Sequence, residues 1–221
     1  MLIMGIDCST KWTNVGLTDN GVIVGEINED LGRKQSSMLP VIAEKLFSEN
    51  NVKIGSICCI AVAVGPGYYT GIRTGIAYAC ALAEALKIKI VPLSTLKIPA
   101  YRFREDSGDF LAVFSKARKN YIYGALYKKD KSELNEVVGP AYLTEADFAS
   151  KIAEYNDALI ISIGDVSDYK TIQSLPNIKC GCIYNSGLDV AIFGEKLLKN
   201  SIAPDKIRGM YLRSPDIGPT Q

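Results

Sequence analysis

Residues Ile57 to Val64 read ICCIAVAV, apolar at nearly every position. A strand of that composition has no face to give to water, so it needs cover on both sides and a parallel neighbour, which places it inside an α/β sheet. Gly65-Pro66-Gly67 follows at once, and then a helical run from Thr70 whose only charges are Arg73, Glu84 and Lys87. Such a helix is apolar nearly all round and must be buried on more than one side.

The flanking pattern extends this unit in both directions. Leu2 to Asp7 is a short apolar run, Asn14 to Thr18 alternates, and Asn20-Gly21 marks a tight hairpin into Val22 to Ile27, so three antiparallel strands open the sheet. Gln35 to Asn50 carries Leu39, Ile42, Ala43, Leu46 and Phe47 at helical spacing, with Pro40 expected in the first turn. Lys89 to Leu93 is a further strand, and Ser94-Thr95 begins a helix to about Phe103. Glu105 to Asp109 has the composition of a linker. Strands then recur at 110 to 114, 121 to 127 and 134 to 138, with a turn at Lys128 to Lys131, before a helix over 144 to 155 and a strand over 158 to 163. The second half echoes the first, which predicts an α/β protein of two similar lobes, residues 1–104 and a smaller 105–221, facing each other across a cleft. The tail from Ser214 is expected to be mobile.

Composition removes whole classes of function. Twenty-five basic residues stand against 24 acidic ones, a net charge of +1, so no global field draws the chain to nucleic acid or a membrane surface. The sequence holds no histidine, which excludes Ser-His-Asp and Cys-His catalysis, HExxH peptidases and any His-ligated metal. The six cysteines lie mostly in apolar patterns without metal-like spacing, so buried free thiols are expected; Cys180 and Cys182 would share one side of a strand. No apolar run is long enough to span a bilayer and the start carries no leader pattern, so a cytoplasmic location is expected.

Ile6-Asp7-Cys8-Ser9-Thr10 resembles the first-strand motif of the actin-like and hexokinase-like ATPase superfamily, and Gly65-Pro66-Gly67-Tyr68-Tyr69-Thr70-Gly71-Ile72-Arg73-Thr74-Gly75 resembles the GPGSFTGxRxG signature of the TsaB (YeaZ) family, with Tyr68-Tyr69 where Ser-Phe is usual. Ser37 to Pro40, Pro92 to Leu96, Ala117-Arg118 and Tyr211-Leu212-Arg213 fall in the family's order; Gln35 stands where that family often has histidine, and Lys116 where it often has aspartate. The resemblance implies two actin-like (ribonuclease H-like) lobes with mixed five-stranded sheets. It also implies a bacterial, non-catalytic subunit that pairs with the catalytic paralogue TsaD, and then with the ATPase TsaE, to make N6-threonylcarbamoyladenosine in tRNA. A homodimer is a further implied state, tRNA is reached only through the complex, and ATP or ADP with Mg would sit at a shared interface rather than on the isolated chain. TsaD-like proteins carry a metal-binding histidine pair that this sequence lacks.

Two site readings follow. The Gly-rich turn could cradle phosphate with Asp7, Ser9, Thr10, Gly65, Gly67, Thr70, Arg73 and Arg118 around it. Pro66 removes a donor, however, and no Walker-type Lys-Ser/Thr follows. Asp7 could position metal and phosphate, as in the superfamily, or merely cap the Ser9-Thr10 turn. The favoured reading makes the helix a partner interface, the small residues Gly71, Gly75 and Ala79 admitting a helix of another subunit, with Ile72, Thr74, Tyr78 and Leu82 beside them and Met38, Leu39 and Ile42 from the preceding helix. No residue is assigned covalent chemistry and no metal site is expected. The alternative is an ATP-dependent small-molecule kinase or ATPase using Asp7; a peptidase, an old label of the wider family, lacks the residues for it.

Overall fold

Asn20 and Gly21 both adopt positive φ, 51° and 76°, the conformation a two-residue hairpin needs, and this turn sets the first sheet. The structure, a computed structural model, describes residues 1–106, 108–131, 133–155, 157–165, 167–175 and 178–214, with backbone only over 178–182. The tail beyond Ser214, to which the expectation of mobility applies, and the side chains of Cys180 and Cys182 lie outside the described residues.

From the hairpin, β1 (Leu2–Asp7), β2 (Trp12–Asp19) and β3 (Val22–Asp30) pair antiparallel. α1 (Gln35–Glu49) leads to β4 (Ile57–Ala63), which lies parallel to β1 on its other side, and α2 (Tyr69–Leu86) leads to β5 (Lys89–Leu93), parallel to β4. The apolar run thus sits between two parallel neighbours, as its composition requires; Cys58 alone of its cysteines is exposed, contrary to the expectation of burial. Pro40 is the other correction in this half. It lies in the second turn of α1, where the missing N–H leaves one carbonyl of the first turn without its helical donor.

After α3 (Lys97–Arg102) the pattern repeats with β6 (Phe110–Arg118), β7 (Tyr121–Asp130), β8 (Glu133–Thr144), α4 (Glu145–Ile152), β9 (Leu159–Ile163), the short α5 (Lys170–Gln173) and β10 (Ile178–Ile183). The two five-stranded sheets have orders β3-β2-β1-β4-β5 and β8-β7-β6-β9-β10, the same connectivity twice. The β7 and β8 strands run longer than the sequence pattern suggests. The polar run Lys128 to Asp130 continues the ladder to the edge, and the turn falls at Lys131, which takes φ 53°. A register shift between the Leu126 and Gly124 pairings carries β8 on past Gly139-Pro140 to Thr144, whose hydroxyl caps α4.

The boundary at 104/105 does not hold for the end of the chain. α6 (Gly187–Lys196) packs on β1, β2 and β4 of the first sheet, Ile202 pairs with Ile90 beside β5, and Ile207 joins the core beneath α1 and α2. The reason is steric. Gly5 and Gly16 are cross-strand partners, and their bare backbones form a notch in which Gly187 and Ala191 of α6 sit in direct backbone contact. α3 and α6 consequently fill the space between the sheets, one continuous core that joins Ile3, Ala61 and Val91 to Leu111, Val113 and Ile161 through Tyr101 and Phe193. α1 and α2 cover the outer face of the first sheet, and α4 and α5 that of the second.

Candidate functional site

β1 ends in a buried carboxylate. Asp7 is 1% exposed; its Oδ1 accepts the Ser9 N–H at 2.7 Å and its Oδ2 accepts Asn185 Nδ2 at 2.8 Å. Asn185 also donates to the Thr95 carbonyl at 3.2 Å, so one amide links β1, the β5–α3 turn and the start of α6. Burial raises the Asp7 pKa above its ordinary value, and the hydrogen bonds from Ser9 and Asn185 only partly offset this. The turn-capping role that sequence left open is the one Asp7 performs.

The Gly-rich motif closes over this turn. The Tyr68 N–H donates to the Ser9 carbonyl at 2.7 Å, the Thr95 N–H to the Gly65 carbonyl at 2.8 Å, and the Met210 N–H to the Val64 carbonyl at 2.7 Å. A Cβ on Gly71 would lie 1.9 Å from the Cys8 carbonyl, and one on Gly67 would lie 2.3 Å from that of Ser9. These glycines therefore serve contact with the chain's own first strand, which the side chain of any other residue would prevent. Gln35, 6% exposed, locks the arrangement from α1, its Nε2 donating to the carbonyls of Thr10 at 3.0 Å and Trp12 at 2.9 Å. Sequence reasoning noted Gln35 only as a departure from histidine. A glutamine at a helix start before an apolar face was the one available signal of a buried clamp.

The phosphate candidates do not form one site. Asp7, Ser9, Thr10, Gly65 and Gly67 meet at the lobe junction, but Arg73 lies on the outer side of α2 over the Tyr69 ring, 4.8 Å from its centroid, and Arg118 is exposed at the end of β6. The inter-lobe pocket between Thr10, Gly67, Lys116 and Gly164 holds about 210 Å³, with Lys116 engaged by Asp168 at 2.8 Å beside it. Asp7 does not line it. Asp7, the acid of the first-strand motif, is instead enclosed with Ser9 and Asn185.

The interface candidates divide as well. Gly71, Ile72, Gly75 and Ala79 are buried against β1 and its neighbours, and Leu39 and Ile42 are buried beneath α1, so the small-residue stripe packs on its own sheet and cannot receive another subunit's helix. Thr74, Tyr78, Leu82 and Met38 stay partly exposed. With exposed Ala77, Ala81 and Ala85 and with Val41, 51% exposed, they make an uncharged outer strip across α2 and α1. Between the helices runs a groove of about 520 Å³ bounded by Pro40, Arg73, Thr74 and Tyr78. A second, larger pocket of about 700 Å³ opens where the starts of α1 and α2 face the segment Met210 to Ser214. Among the described residues no helix is long and apolar enough to cross a membrane, and no group of three His, Cys, Asp or Glu side chains could hold a metal ion.

The family model described as TsaD, tRNA N6-adenosine threonylcarbamoyltransferase, matches residues 24–205. The tRNA threonylcarbamoyladenosine biosynthesis protein TsaB of Bacillus subtilis (strain 168) is 28% identical over 170 residues, 77% of this chain and 74% of that protein. The TsaB of Buchnera aphidicola subsp. Acyrthosiphon pisum is 25% identical over 83% of each chain. A crystal structure from Pseudomonas aeruginosa, of an uncharacterized protein with similarity to peptidase YEAZ, superposes with a TM-score of 0.80 at 22% identity, covering 96% of this chain and 99% of that one. Such a likeness speaks for the fold, and with the matched motif and the duplicated lobes it leads to one conclusion: the chain belongs to the TsaD family of tRNA N6-adenosine threonylcarbamoyltransferases, on its TsaB/YeaZ branch, with an actin-like fold.

Proposed function

We infer that the chain serves tRNA threonylcarbamoyladenosine biosynthesis as a non-catalytic subunit. It presents the outer strip of α1 and α2 to a larger TsaD-like paralogue and holds that partner's cleft in a competent geometry; a TsaE-like ATPase then joins the pair. The observation that carries this reading is the strip itself. Positions 74, 77, 78, 81, 82 and 85 of α2 carry no charge and all retain some exposure, beside Met38 and Val41 of α1. An uncharged row on α2, flanked by Arg73 and by Glu44 whose charge acts on Tyr78, is the composition of an interface core with a charged rim. The buried Asp7 supports the non-catalytic part, because it is 1% exposed and both of its oxygens already accept hydrogen bonds from the chain's own Ser9 and Asn185. On this reading adenine nucleotide and Mg belong to the interface with the paralogue, not to this chain's own cleft.

Ala81→Glu and Val41→Asp test it. Both sites are exposed, so the folded chain tolerates them, whereas Gly75→Glu would drive a carboxylate toward Cys8 and Ile6 and report on stability instead. Size-exclusion chromatography with the purified TsaD-like paralogue should show a complex for the wild type and its loss, by tenfold or more in affinity, for either variant. A complex that survives both substitutions would place the interface elsewhere.

A further inference from the structure

We propose that the pocket of about 700 Å³ at the starts of α1 and α2 is a contact site for single-stranded RNA, so that this subunit itself touches the nucleic acid on which its complex acts. The proposal rests on the biosynthetic role inferred above but not on which face meets the paralogue. Its lining combines cationic Lys11, Arg33 and Arg213 with Tyr68, Tyr69 and Tyr211, and no Asp or Glu among the described residues lines it. Lys11 is shared with Asp30 at 2.6 Å, a half-exposed pair of the kind that water and salt loosen easily. Arg33 is exposed and forms no ion pair among the described residues.

The aromatic component is what selects nucleic acid over a simple anion. Tyr68 and Tyr211 are 55% and 44% exposed at the rim, more surface than a core tyrosine gives to water. The Tyr211 ring lies 4.9 Å from that of Tyr69, on which Arg73 stacks in turn. Tyr123 on the far wall continues through Tyr142, 5.9 Å away, to Tyr121, stacked on Tyr142 at 4.7 Å and 36% exposed. Sequence-tolerant binding of single strands needs base-stacking rings beside a cationic track. Gln35 adds the third element. It lines the pocket with its Nε2 held on backbone carbonyls, and its Oε1 is the acceptor that this side chain offers to a base amine or a ribose hydroxyl. With a net charge of only +1, the chain owes this cationic character to placement, not to composition.

The test is fluorescence anisotropy of the full chain with a labelled oligo-adenylate RNA octamer. Wild type should bind, and affinity should fall about tenfold between about 50 and 200 mM salt if two or three phosphates are neutralised. Tyr68→Ala with Tyr211→Ala should weaken binding by about tenfold or more, and Arg33→Glu should flatten the salt slope. Lys151→Glu, an exposed site on α4 over the other sheet, carries the same charge change and should alter nothing. Circular dichroism confirms that each variant folds. Absence of binding at low salt, binding indifferent to the tyrosine and arginine changes, or displacement of the octamer by AMP at equal base concentration would each overturn the proposal. Tyr68, Tyr211 and Arg33 do not line the α1–α2 groove, so loss of RNA binding with intact capture of the paralogue, or the reverse, separates this inference from the scaffold reading.

Discussion

At the residue scale, two glycines four positions apart in α2 stand in opposite situations, although the sequence presents them as one stripe. At Gly71 an added Cβ meets the Cys8 carbonyl at 1.9 Å, a backbone atom that no rotamer change relieves; at Gly75 the nearest atoms are Cys8 Cβ and Sγ at 3.6 and 3.7 Å, ordinary contact distances. Gly71→Ala should therefore destabilise the protein by about 1–3 kcal/mol or more. Gly75→Ala should be neutral or stabilise by up to about 1 kcal/mol through helix propensity. Urea unfolding of the two variants measures the contrast, and equal effects would contradict the close packing of α2 on β1. Asp7 gives a second prediction, in pH. Its folded-state pKa is raised by burial above the ordinary 3.8, so the folded chain holds the proton more tightly than the unfolded one. Its contribution to stability is greatest below that ordinary value and is lost as pH rises through the folded pKa. Asp7→Asn has no proton to lose, and the Asn185 Oδ1, which has no partner, can turn to accept from the new amide. The stability of Asp7→Asn relative to wild type should thus climb as pH rises above about 3.8 and level off once the folded-state pKa is passed. A difference that stays flat over that range would show that the carboxyl titrates as in water.

Helices and strands are where the sequence was most legible, and their misreadings have specific causes. Alternation located β2, helical periodicity located the helices with one face in a core, such as α1 and α4, and unbroken apolar runs located the strands buried on both faces, such as β1, β4 and β9. Polar ends defeated the same reasoning. Lys128 to Asp130 reads as a turn because its side chains are charged, yet the backbone of an edge hairpin continues regardless of them. The interface stripe was misassigned for a related reason: a helical wheel orders positions around an axis but does not say which stripe meets the sheet, and Gly71 and Gly75 fit either cover. α2 also carries its own prediction at its end. Lys87 is its C-cap in the left-handed region, φ 57° and ψ 41°, where a non-glycine residue costs roughly 1–2 kcal/mol. Lys87→Gly removes that cost while forfeiting about 0.3–1 kcal/mol of favourable charge at the helix end. A net gain of about 0.5–1 kcal/mol in chemical denaturation is expected, and a loss would mean that the lysine has a partner role that outweighs its backbone.

For the whole molecule, the decisive feature was invisible to any local pattern. Gly5 and Gly16 read as unremarkable glycines within strand patterns, and only their cross-strand pairing, a long-range fact, turns them into a notch for α6. Nothing in the sequence of 187–196 says which sheet it will cover, and the duplicated order of elements argues for the wrong one. The consequence is mechanical coupling. α6 contributes Val190, Ala191 and Phe193 to a core that also contains Val91 of the first sheet and Val113 of the second, so neither lobe keeps its inner face covered if the helix leaves. Gly16→Ala would place a Cβ 2.2 Å from the Gly187 carbonyl carbon, and the backbone of α6 must then move away from β2. The expected loss is about 1–3 kcal/mol or more, and its distribution is the informative part. Under native conditions, amide exchange limited by global opening should accelerate by the same factor in β1 and β4 as in β6 and β9, because the sheets share one cooperative core. Acceleration confined to the first sheet would show two lobes that unfold independently, with α6 as a strap on one of them rather than the common keystone of both.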